Sequence, residues 1–140
     1  MTSLAERYGA PMATIDSATA MIADLPEVSE GIRYGHSAWA VGKNVFAWIR
    51  PFSKADLKRF GDETPPPGPI LAVLTADLHE KEAILAAHPR SCFTISHFDG
   101  FAAVLVDLDN TDDDELRELV IDGWLVHAPK NVAETFLADN

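Results

Sequence analysis

The chain has 140 residues, 47% of them apolar and 24% charged, which gives room for one globular domain with its own core and excludes a disordered or fibrous chain. Its 22 acidic against 11 basic side chains give a formal net charge of -11, which opposes indiscriminate attraction of the whole molecule to nucleic acid or anionic lipid. A single cysteine, Cys92, excludes an intramolecular disulfide and fits a reducing cytoplasm. Glu6 and Arg7 interrupt the first residues, which therefore do not read as a secretory signal, and no uncharged apolar run is long enough to cross a membrane.

Residues 1–13 read as a tail and residues 14–140 as one domain. The first helix is expected over residues 14–25, where Ala18, Met21, Ile22 and Leu25 recur at spacings of three and four. Thr14 is its N-cap, and Pro26 ends it by lacking a donor. Residues 37–50 read as a hairpin turning at Gly42-Lys43 or Lys43-Asn44; either register places Trp39, Val41, Phe46 and Trp48 on one face. A short helical turn over residues 56–60 precedes a surface loop of polyproline character holding Pro65, Pro66, Pro67 and Pro69.

Residues 70–75 read as a buried strand. Asp77 caps the next helix, with Glu80 able to reach back, and Pro89 closes it. Strands follow over residues 92–96 and 102–108, joined around Asp99-Gly100. The last long helix starts near Thr111 with Leu116, Leu119, Val120, Gly123, Trp124 and His127 on one stripe, and a short helical tail covers residues 132–137. The expected architecture is α+β in two layers: an antiparallel sheet of about five strands, packed on one face by N-terminal, middle and C-terminal helices.

The run Leu25-Pro26-Glu27-Val28-Ser29-Glu30, then Gly35-His36-Ser37-Ala38-Trp39-Ala40-Val41 and Phe46-Ala47, resembles the N-terminal signature of the MmcQ/YjbR family. His97-Phe98-Asp99-Gly100, Val104 to Leu108, Glu115-Leu116 with Leu119, and Trp124 with Ala128-Pro129-Lys130 resemble its C-terminal half. The resemblance spans residues 14–137, although the family places Gly and Lys one residue later, where this chain has Lys43 and Asn44. It implies a secretion-chaperone-like or frataxin-like α+β domain and carries the label of a DNA-binding protein.

Charge is unevenly distributed. Residues 33–59 hold six basic side chains, Arg33, Lys43, Arg50, Lys54, Lys58 and Arg59, against Asp56 alone, a net of +5. Residues 99–140 hold eleven acids against Arg117 and Lys130, a net of -9. The six basic residues are the candidate surface for an anion, with DNA first among partners, and the interleaved Tyr34, Trp39, Phe46, Trp48 and Phe52 offer stacking platforms where they are exposed. The rival expectation is a protein-interaction or chaperone-like module that uses the acidic helix around Asp113 to Glu118 and an open sheet face.

Catalytic chemistry finds no support at this level. Asp107, Asp109, Asp112, Asp113, Asp114, Glu115 and Glu118 lack the glycine and preceding helix of a calcium loop, and their better use is to offset a helix dipole. His36, His79, His88, His97 and His127 have no zinc-ligand spacing, Cys92 reads as a buried thiol, and no nucleotide-binding glycine motif occurs. The expectation is a cytoplasmic, non-enzymatic binding domain with no cofactor or metal.

Overall fold

The computed structural model describes residues 9–139. The expected tail lies partly outside them; within them Met12 bridges to Asp112, and the Ala13 N–H donates to Thr111 O at 2.7 Å, which ties residues 11–13 to the start of the last long helix. Helix α1 (Ile15–Ala23) starts where the sequence placed it. Thr14 Oγ1 accepts from the Ser17 N–H at 3.0 Å and Ser17 Oγ accepts from the Thr14 N–H at 2.9 Å, a reciprocal cap contributing about 1 kcal/mol.

The strands β1 (Val28–Arg33), β2 (His36–Val41), β3 (Asn44–Ile49), β4 (Ile70–Leu74), β5 (Cys92–Phe93) and β6 (Ala103–Asp107) form one antiparallel sheet in the order β1-β2-β3-β4-β6-β5. Six strands stand where about five were expected. The additional one is β1, whose Glu30 and Gly31 interrupt any apolar alternation; it is largely exposed and, among the described residues, an edge strand paired only with β2. The strand expected over residues 92–96 stops at Phe93. Beyond it the chain leaves the sheet through a 3₁₀ turn, Ser96–Phe98, that turns Phe98 inward. Buried Lys81 holds that departure, its Nζ donating to Phe98 O at 2.7 Å and to Phe101 O at 2.8 Å.

Helices α1, α3 (Leu78–Ala87) and α4 (Asp113–Leu125) cover one face, where Ile22, Trp39, Val41, Phe46, Leu71, Val106, Leu116 and Trp124 form the main core. Gly123 lets α4 approach β4: a Cβ there would meet Val73 Cγ1 at 2.6 Å. Trp124 is fully buried, its indole N–H donating to Pro26 O at 3.1 Å and its ring edge-on to Phe136 of α5 (Lys130–Ala138) at 5.0 Å. His127, expected on the buried stripe of α4, lies just past the helix end and is exposed.

The other face is not bare. Ala38, Trp48, Ile70, Ala72, Phe98, Ala103 and Leu105 make a second cluster, and Phe52, just before helix α2 (Lys54–Phe60), packs on its margin. Trp48 belongs here because the β2–β3 ladder carries a bulge: Val41 pairs with Asn44 and Ala40 with Val45, then Trp39 pairs with Ala47 and Ala38 with Trp48. Phe46 is the extra residue, so both Phe46 and Ala47 face the main core and the next side chain changes sides. This corrects the placement of Trp39, Val41, Phe46 and Trp48 on a single face. An uninterrupted two-residue period would give that placement; one inserted residue flips everything after it.

Candidate functional site

The β1–β2 turn builds one wall of a groove on this second face. Tyr34 and Gly35 take φ of 52° and 82°, the tight-hairpin conformation that glycine adopts freely and that costs a tyrosine about 1 kcal/mol. The turn sets Arg33 opposite His36 in the ladder and leaves Tyr34 89% exposed. The Arg33 guanidinium carbon lies 4.7 Å from the Trp48 ring centroid and 5.7 Å from that of Tyr34. A planar cation thus covers the one ring and borders the other, attracted by the negative face of the aromatic systems. Phe98 and Phe101 pack beside Trp48 at 6.3 and 6.1 Å.

Arg50 extends this wall, with its charge already matched. Its Nη2 stands 3.0 Å from Asp56 Oδ2, its Nη1 donates to the Pro51 carbonyl, and its guanidinium carbon lies 5.6 Å from the Phe98 ring. Asp56 is buried in the first turn of α2, where the Ser53 N–H donates to its carboxylate at 2.8 Å and its own N–H donates to Ser53 Oγ at 3.1 Å. Burial pushes the Asp56 pKa up, but the Ser53 hydrogen bonds and the Arg50 charge outweigh it and hold the carboxyl below its usual range.

Between the hairpin end and α2 lies an open groove of about 520 Å³, bordered by Arg33, Tyr34, His36, Trp48, Arg50 and Arg59, with Phe52 and His97 along it. A recess of about 240 Å³ shares Arg59 and adds Asp56, Glu63 and Asp99, so the α2 side carries both signs of charge. Of the six basic residues singled out in the sequence, Arg33, Arg50 and Arg59 meet at this groove. Lys54 and Lys58 are exposed on α2 outside its lining. Lys43 is exposed in the β2–β3 turn, at the opposite end of β2 from His36, about 17 Å along the strand. The single basic surface expected over all six is therefore shortened, because the length of the hairpin holds its two ends apart.

Tyr34, named in the sequence among five interleaved aromatics as a stacking platform, is exposed at the groove; sequence reasoning missed His36 and His97 as groove residues, and missed that Asp56 neutralises Arg50. The second had a legible signal, the Ser53-x-x-Asp56 capping pattern that buries Asp56 beside Arg50. The first depends on the bulge and on the Tyr34-Gly35 turn, which bring distant segments to one place.

The acidic run of the last long helix is largely engaged within the fold. Asp112 caps α4 through the Glu115 N–H at 2.8 Å, and Asp113 accepts from Ser17 Oγ at 2.8 Å. Glu115 Oε2 lies 2.6 Å from His88 Nδ1 and accepts from Ser91 Oγ at 2.9 Å. Serine and imidazole here converge on one carboxylate oxygen instead of on each other, and Ser91 is buried, an arrangement that fixes a loop and does not generate a nucleophile. Next to it, burial first and then the charges of Glu80 and Glu118 push the Asp122 carboxyl pKa up. Burial likewise pushes the Cys92 thiol up to about 11. Among the described residues no group of three or more His, Cys, Asp or Glu side chains could hold a metal ion, and no helix is long and apolar enough to cross a membrane.

Comparison with known proteins places this geometry in a family. The crystal structure of Deinococcus radiodurans protein DR2400, a DUF419 domain, shares the fold with a TM-score of 0.61 at 23% identity, covering 86% of this chain and 83% of that one. The uncharacterized protein Rv2570 of Mycobacterium tuberculosis and the uncharacterized protein Mb2600 of Mycobacterium bovis are each 39% identical over 132 residues, 92% of this chain and 99% of the relative. The YjbR family profile matches residues 23–126, from the end of α1 to the end of α4. On these matches the chain belongs to the YjbR family.

Proposed function

We propose that the protein is a small non-enzymatic binding domain that receives an anionic polymer, nucleic acid first, at the groove bordered by Arg33 and Arg59. The observation that carries this reading is the convergence of Arg33, Arg50 and Arg59 on one aromatic-lined groove in a chain of net charge -11. Screening acts over about 8 Å at physiological salt, so acids on the far side of the sheet weaken a local basic site little. Arg50 is already matched by Asp56, which leaves Arg33 and Arg59, with Lys54 and Lys58 on the neighbouring helix, to meet phosphates. The rival reading, docking of a protein through the acidic helix, draws less support because Asp112, Asp113 and Glu115 are spent on internal partners. The single cysteine, Cys92, which has no disulfide partner in the chain, fits a reducing compartment such as the cytoplasm.

With four phosphates met, log K for DNA falls against log salt with a slope of about -3 to -4. Anisotropy of a labelled oligonucleotide across salt concentrations reads this slope. Arg33→Glu with Arg59→Glu removes the binding. A flat salt dependence, or full affinity in the double variant, overturns the reading.

A further inference from the structure

Tyr34 holds a conformation that an asparagine or glycine would take with less strain, and it displays an aromatic ring to solvent: φ is 52° and the residue is 89% exposed. Its neighbour in space is a cation, the Arg33 guanidinium, whose carbon lies 5.7 Å from the Tyr34 ring centroid and 4.7 Å from that of Trp48. An open π-face thus stands next to a positive charge, with a second arginine, Arg59, on the same groove. The groove volume of about 520 Å³ lies within the range of small-ligand sites, roughly 300–1,000 Å³.

A ligand that satisfies both features carries a flat ring and an anionic group one short linker away. A nucleotide unit has that chemistry: an unpaired base for the ring, and its own phosphate for the arginines. In a duplex the same base is stacked and paired, and only its phosphates are available. We propose that the groove is a nucleotide-unit site, in which an unpaired base stacks on Tyr34 while the adjacent phosphate pairs with Arg33 and Arg59. This deepens the nucleic-acid reading above and rests on it. It predicts selectivity for single strands that a purely electrostatic patch does not have.

The test compares three probes at low salt: a labelled single-stranded oligonucleotide, the same sequence as a duplex, and a free mononucleotide followed by calorimetry. Tyr34→Asn removes the ring while suiting the left-handed backbone, so it keeps the fold; Tyr34→Phe keeps the ring. The site predicts that the single strand binds roughly tenfold tighter than the duplex, that Tyr34→Asn weakens the single strand about tenfold, and that Tyr34→Phe restores it. Mononucleotide heat that disappears in Tyr34→Asn shows that one unit suffices; single-strand binding without mononucleotide heat assigns the site to a base within a strand, and either supports the proposal. Equal single-strand and duplex affinities with no effect of Tyr34→Asn overturn it while leaving the salt-dependent patch standing. No binding of any probe overturns both.

Discussion

Trp124 and Trp48 lie on opposite faces of the same sheet, and what touches each ring differs. Trp124 is enclosed by the helix layer, its N–H satisfied by a backbone carbonyl and its edge met by Phe136. Trp48 is enclosed by two phenylalanines and a guanidinium, so the cover on its outer side is a movable, charged side chain. The helix-covered face is a dry core whose task is stability. The opposite face buries enough apolar surface to stay folded and leaves its margin polar, concave and open. One bulge residue, Phe46, separates these two uses of a single hairpin.

Substitutions can break this contrast. The largest expected effect is on the dry face, where Trp124→Ala removes a fully buried ring and orphans the Pro26 carbonyl; a loss of about 3–5 kcal/mol in urea unfolding is expected. A loss below 1 kcal/mol would mean that the helix layer is not a core.

Asp56→Asn, on the groove face, leaves Arg50 half-buried without its counter-charge and should cost about 1–3 kcal/mol. The pH dependence has a defined sign. The folded pKa of Asp56 is lowered, so its contribution is complete above the unfolded carboxylate value of about 3.9 and is lost as pH falls through the lower, folded value. Stability of the wild type measured towards acid pH should therefore drop more steeply than that of the variant; parallel curves would contradict the pairing.

The smallest effect is chemical and leaves stability untouched. Cys92, buried beside the dry core with its thiol pushed up to about 11, should react with a disulfide reagent at pH 8 roughly 100-fold more slowly in the native protein than in denaturant. Rapid native labelling would show that water reaches the core.

Local signals in the chain carried much of the architecture. Thr14, Asp77 and Pro26 punctuate helices because caps and missing donors act within a few residues, and Leu116, Leu119, Val120 and Trp124 mark a buried helix face through their period. Long-range events were not legible. β1 is held by pairing with β2 and not by its own pattern, and the bulge that moves Trp48 across the sheet leaves no trace in residue types. The candidate site was half visible for the same reason. Arg33, Arg50 and Arg59 stand out as a basic stretch, whereas their separation from Lys43, the neutralisation of Arg50 and the display of Tyr34 follow from strand length, a buried carboxylate and a turn conformation.

The most direct test is an amide and indole chemical-shift titration with a single-stranded oligonucleotide at low salt. The account predicts shifts along the groove, at residues 33–36, 48–50, 52–53, Arg59 and His97, with Glu80, Glu118 and Asp122 on the helix-covered side unmoved. Shifts centred on those acidic residues, or spread evenly over the surface, would contradict it.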